Sequence, residues 1–184
     1  LMHQFNKYKE ELEYITSLLD KDYFSESDAD LKFADLTNAN LPKTMSFIGA
    51  DLREAILTGM DLTGANLQDA YLWDAKLQEA ILTGANLQGA TLEFAKLQGA
   101  KLQGANLQGA NLKSTNFEHA NLQGADLRGA KCHYTHFNSA DLTGAKLDGV
   151  EFWWPQLHRA ILTDVDLTNT NYDDFYDDGY DSMD

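Results

Sequence analysis

The chain has 184 residues, 43% of them hydrophobic, and a formal net charge of −15 at pH 7. That length suits one domain. No run approaches the ~18 apolar residues that cross a bilayer, and no basic stripe offers a footprint for nucleic acid. The single cysteine, Cys132, excludes an intrachain disulfide framework and C-x-x-C metal clusters, and points to a reducing cytoplasm. The acidity is uneven: residues 173–184 hold six Asp and no base.

Taken in chain order, the first segment is amphipathic. Phe5, Tyr8, Leu12, Ile15 and Leu19 recur at alternating spacings of three and four, which places them on one helical face. The spacing predicts a helix over residues 3–20 within an N-terminal segment of 1–28. Its expected role is to cap the solenoid that follows, whose ends would otherwise expose apolar surface and unpaired backbone. No hydrophobic leader segment is visible ahead of it.

From Phe47 to Tyr172 every fifth residue is Leu, Phe, Tyr or Cys, giving 26 units without a break. Two positions before each stands a small residue, usually Ala, as at Ala50, Ala55, Ala65 and Ala70. Earlier units centre on Leu31, Leu36 and Leu41, offset by one residue, so an insertion is expected near Pro42–Thr44. A period of five fits neither helix nor strand alone. It fits a short extended piece followed by a turn, in which the small and the large residue, two apart, both point inward. Gly often stands two places after Leu, where a type II turn needs positive φ. Phe117 and Phe137, and likewise Thr115 and Thr135, are 20 residues apart. Four units per coil then stack like on like at the ~4.8 Å strand spacing.

The stretches "ANLQGANLQGANLKSTNF" and "ADLRGA" resemble the A-[DN]-L-x-x signature of the pentapeptide-repeat family, most of all its cyanobacterial-type members. The resemblance covers residues 29–172. It implies an all-β solenoid, a right-handed quadrilateral β-helix; the number of units gives it about seven coils, preceded by the predicted N-terminal amphipathic α-helix. It also implies a non-enzymatic protein, although a subset of the family resembles DNA and binds DNA gyrase. Beyond the repeat, Asp177 falls where a large apolar residue is due, so residues 173–184 read as an acidic aromatic tail outside the solenoid.

Catalytic signals are weak. Cys132, His133 and His136 look like a metal cluster, but the period turns Cys132 inward and sets the two His across a corner; no metal or cofactor is expected. Lys76 and Lys96 should stack on adjacent coils, eased by Glu79 and Glu93. No nucleophile–base pair or phosphate loop is recognisable.

Position modulo 20 assigns each residue to a face. On the second face, centred on Leu52, Leu72, Leu92, Leu112, Cys132 and Phe152, the outward positions hold Tyr71, Trp73, Phe94, His133, Tyr134, Trp153 and Trp154. Every large outward aromatic of 47–167 lies there, while the other faces carry Asn, Gln, Thr, Lys, Asp and Gly. Clustered aromatics mark a contact surface, met by a partner or covered from within the chain, the N-terminal helix over the lower group and the tail aromatics over the upper one. The expected function is a rigid scaffold that binds a protein partner through this face, as monomer or homodimer, in the cytoplasm, with no direct nucleic-acid or membrane binding. Two alternatives are a DNA mimic acting on an enzyme such as gyrase and a self-associating structural rod. Acids and bases are interspersed on every face, which disfavours mimicry. At Pro155 the missing N–H predicts a bulge or a lost ladder bond.

Overall fold

A computed structural model describes residues 30–37, 39 and 46–171. The predicted helix over 3–20, the insertion site near Pro42–Thr44, the unit at Tyr172 and the tail over 173–184 lie outside the described residues. Within them the backbone winds as a parallel ladder in which each residue before a Leu pairs with its equivalent 20 positions on, as in Tyr71 with Thr91 and Thr91 with Asn111. Twenty residues per coil and five per unit make four sides. Only Lys131–His133 (β1) and Glu151–Trp153 (β2) are long enough to count as strands, and they pair in parallel on the second face. The other rungs are single-residue bridges.

The unit at Leu92 shows why five residues suffice. Thr91 N–H donates down to Ala70 O (2.9 Å), and Leu92 N–H donates up to Asn111 O (2.8 Å). Phe94 N–H donates up to Lys113 O (3.0 Å), and Ala95 N–H closes the turn on Leu92 O (2.9 Å). Leu92 and Ala95 are both buried. Each unit thus places one large and one small side chain in a core one coil wide while satisfying its buried backbone groups, as burial demands.

The Asp or Asn before each Leu has a structural task that the repeat did not disclose in advance. Its carboxylate or amide oxygen accepts the N–H of the residue two on, as Asn106 does from Gln108 (3.1 Å) and Asp61 from Thr63 (3.0 Å). This is an Asx turn, which pre-sets the corner. Asn66, Asn86 and Asn106 also bond to one another up the rod, each step 3.1 Å.

The expected one-residue offset is visible in the register. Asp30 pairs with Asp51 and Asp35 with Ile56, a step of 21, whereas Ser46 pairs with Asn66, a step of 20. Phe117 and Phe137 stack in the core at 5.3 Å between centroids with rings 3° from parallel. Thr115 and Thr135 are buried in the small-residue slot, and their hydroxyls donate to Leu92 O (2.7 Å) and Leu112 O (2.8 Å).

The two ends differ. Leu31 and Leu36 are buried, whereas Leu157, Leu162, Val165 and Leu167 in the last described coil are only partly covered. Pro155 costs a turn bond rather than the ladder bond predicted, because the N–H of its slot closes the turn on the core residue's carbonyl in other units, as Ala95 does on Leu92; the chain compensates. Phe152 O accepts from Asn171 Nδ2 and Phe152 N–H donates to Asn171 Oδ1, both at 2.7 Å.

Candidate interaction face

The second face carries seven rows among the described residues, from 30–33 at one end to 151–154 at the other. Each row presents three outward positions: one before the core residue and two after it. The second of those two adopts positive φ in every row: Phe33, Glu54, Asp74, Phe94, Ser114, Tyr134 and Trp154. None is glycine. On the fourth face the equivalent positions are Gly64, Gly84, Gly104, Gly124, Gly144 and Asp164. An L-residue there costs roughly 1–2 kcal/mol that glycine does not. Four of the seven, Phe33, Phe94, Tyr134 and Trp154, are aromatic, whereas the non-glycine residues at these positions on the other faces are Asp, Glu, His, Ser, Arg and Asn.

The aromatic side chains of the second face reach solvent. Trp73 is 37% exposed, Trp153 52% and Trp154 64%; Tyr71, Phe94 and Tyr134 are exposed as well. Trp73 and Phe94 meet edge to face at 6.0 Å. His133 is half-buried, 5.8 Å from the Trp153 ring and 3.5 Å from the Glu151 carboxylate. The seven residues singled out from sequence thus share one surface, in a lower group (Tyr71, Trp73, Phe94) and an upper group (His133, Tyr134, Trp153, Trp154). Asn111, Lys113 and Ser114 separate them.

One member was missed. Phe33 N–H donates to Arg53 O (3.0 Å), so its row lies directly beneath that of Glu54, and its ring is exposed. Counting by 20 without the inserted residue assigns Phe33 to the wrong column; a step of 21 places it. Lys32 Nζ lies 4.6 Å over the Phe33 ring. Between this row and Trp73, a cleft of about 390 Å³ is lined by Lys32, Arg53, Glu54, Tyr71, Trp73 and Thr91.

The charged groups are largely engaged locally. Arg53 grips Asp51, with Nε 2.7 Å from Oδ1, and holds its carboxyl below the usual range. Lys96 pairs with Asp74 (3.5 Å), not with the expected Glu79 or Glu93. Lys76 and Lys96 do stack on adjacent coils. Cys132 is buried, and desolvation pushes its thiol far above the ordinary range. His133 and His136 sit on successive faces. No three potential metal ligands converge among the described residues, and no helix among them is long and apolar enough to cross a membrane.

A four-sided β-helix with inward Leu and Ala, Asx-turn corners and one aromatic flank defines a repeat solenoid. The chain belongs to the pentapeptide-repeat family: the Pentapeptide repeats profile matches in eight copies over segments running from 27–69 to 135–171. The family's fold is the right-handed quadrilateral β-helix, and its members are generally structural or interaction proteins. Among solved structures, the chain is similar to HetL from the cyanobacterium Nostoc sp. strain PCC 7120, a pentapeptide repeat protein involved in heterocyst differentiation regulation. The two share 35% identity over 79% of this chain and 68% of that one, with a TM-score of 0.57. QnrB1, a plasmid-mediated fluoroquinolone resistance protein, is 20% identical over 68% of this chain and 67% of its own, with a TM-score of 0.55; that likeness shows the fold alone. No protein among curated sequences matches the chain.

Proposed function

We propose that this protein is a non-enzymatic interaction scaffold: a rigid rod of about seven coils, capped by the N-terminal helix, that meets a protein partner in the cytoplasm through its second face. One observation carries this reading. Seven bulky aromatics stand exposed in a single column, four of them (Phe33, Phe94, Tyr134 and Trp154) held in a backbone conformation that favours glycine. Strain retained at an exposed surface is a mark of function, and aromatic residues are the commonest anchors of protein interfaces. A regulatory role like that of HetL fits such a surface, since a regulator acts by contact.

The test compares proteins retained from the native organism by wild type and by a Trp73→Ser, Tyr134→Ser, Trp153→Ser variant with an unchanged circular dichroism spectrum. Specific retention by wild type alone supports the reading. Equal retention by both shows that the contact lies elsewhere.

A DNA-mimic role is disfavoured, because mimicry needs ranked acids. Here Asp51 is neutralised by Arg53, and Asp126 by Arg128 (2.7 Å) and Lys146 (3.8 Å). The chain is expected to leave gyrase supercoiling unaffected.

A further inference from the structure

We propose that the partner of the second face is a second copy of this chain, laid antiparallel along it and related by a two-fold axis through Phe94. The proposal rests on the reading of that face as the contact surface and names its occupant.

Area comes first. Seven exposed aromatics lie on the face. At ~200 Å² of surface per aromatic side chain, about half of it exposed, they offer roughly 700 Å² per copy. A stable interface takes about 800 Å² per partner, and the largest apolar patch of an ordinary monomer is roughly 300–600 Å². The aromatics alone therefore nearly fill a standard dimer contact.

Pitch comes second. The rows repeat at the ~4.8 Å spacing of paired strands. An α-helix laid on them repeats every 5.4 Å and falls about half a row out of step within four turns. An extended strand shows one face every ~6.6–6.8 Å. Another face of the same solenoid stays in step along its whole length.

Order along the rod comes third, and it selects the antiparallel arrangement. Numbered from Phe33 to Trp154, the rows lacking an aromatic are the second (Asp51, Arg53, Glu54) and the fifth (Asn111, Lys113, Ser114). A two-fold axis lying in the contact plane at the fourth row, that of Phe94, reverses the order of rows and keeps their left–right order. The second row then meets the sixth and the third meets the fifth, so each aromatic-free row receives an aromatic one. The second row is where the cleft of about 390 Å³ lies, and Tyr134 of the other copy comes opposite it.

Charge is mixed. Lys131 comes opposite Asp51, whose carboxylate Arg53 already engages, Lys113 opposite Trp73, and Lys32 opposite Trp153; the last two are cation–π placements. Neither Lys113 nor Lys131 has an ion pair among the described residues. Phe94 meets its own copy. Three positions oppose the arrangement: Glu93 faces Glu93 at the axis, Asp30 faces Glu151 at each end, and His133 faces an Arg53 that Asp51 already engages. A parallel pairing does worse, because aromatic rows meet aromatic rows, gaps meet gaps, and Lys113 meets Lys113.

Sedimentation equilibrium of the full chain over a concentration series tests the state, and cross-linking tests the register. A species of twice the 20.6 kDa chain mass is expected. Tyr134→Gly weakens it by about 10-fold or more. Glu93→Gln tightens it by about two- to five-fold, by removing the like-charge pair. With a short bis-maleimide, Phe94→Cys links to itself. Lys113→Cys does not, but it links when mixed with Trp73→Cys. Cys132 is buried and stays silent. A monomer at every concentration, a dimer indifferent to Tyr134→Gly and Glu93→Gln, or self-linking of Lys113→Cys overturns the proposal. If self-pairing fails while the native-organism capture still depends on the second face, the scaffold reading stands without it.

Discussion

Every described repeat unit places one residue at positive φ, and fourteen of these twenty-six are not glycine. Space is not the general reason for glycine at the rest: a Cβ at Gly64, Gly84, Gly104 or Gly124 would meet nothing within 4 Å. The dihedral angle alone sets the preference. Gly104→Ala is therefore expected to lower stability by about 1 kcal/mol, read from urea unfolding. Tyr134→Gly should raise it by about 0.5–1 kcal/mol, because the strain relieved exceeds the greater flexibility that glycine brings to the unfolded chain. A variant that is more stable yet contacts less well is the signature of strain kept for function. Carboxylates at the corners set the response to acid. Asp51 and Asp126 are lowered first by hydrogen bonds from Arg53 and Arg128, and Asp141 and Asp166 by the hydroxyls of Thr143 and Thr168. Their folded pKa values lie below the unfolded one, so their contribution is complete above about pH 4 and is lost as pH falls through the lowered values. Circular dichroism against pH should show stability dropping below about pH 4 and not between 5 and 7 from these groups.

At the scale of one coil, the five-residue unit repeats an arrangement in which nothing is optional except the outward positions. Replacing a central Leu such as Leu102, buried without exposure, by Ala should cost about 2–5 kcal/mol, measured by the same unfolding. The last described coil shows what replaces a missing rung. Asn171 gives Phe152 both the donor that Pro155 cannot supply and the acceptor that a further coil would offer. Asn171→Ala is expected to cost about 1–2 kcal/mol and to lower amide protection of Phe152 in hydrogen exchange. Little of this was readable beforehand. Pro155 advertises a lost bond, but no pattern in sequence says that a side chain sixteen positions later restores it.

Across the whole molecule, coils contact only their neighbours, so stability is close to a sum of coil and interface terms. The buried start at Leu31 and Leu36 and the half-covered Leu157, Leu162 and Leu167 give the rod a direction. Hydrogen exchange should therefore be fastest in 157–170 and slowest in the middle coils. The sequence by itself determined the period, the inward Leu and Ala, the four faces and the membership of Tyr71, Trp73, Phe94, His133, Tyr134, Trp153 and Trp154 in one column, because a strict repeat maps position onto geometry by counting alone. Tertiary structure decided what counting cannot reach. It brought Phe33 into that column through a register step of 21, since an insertion's effect appears only in which strands pair. It placed Phe33, Phe94, Tyr134 and Trp154 at positive φ where the opposite, fourth face uses glycine, since φ is a property of the folded turn. It also opened a cleft between rows, because the shape of a surface depends on side chains that are twenty residues apart in the chain and one coil apart in space.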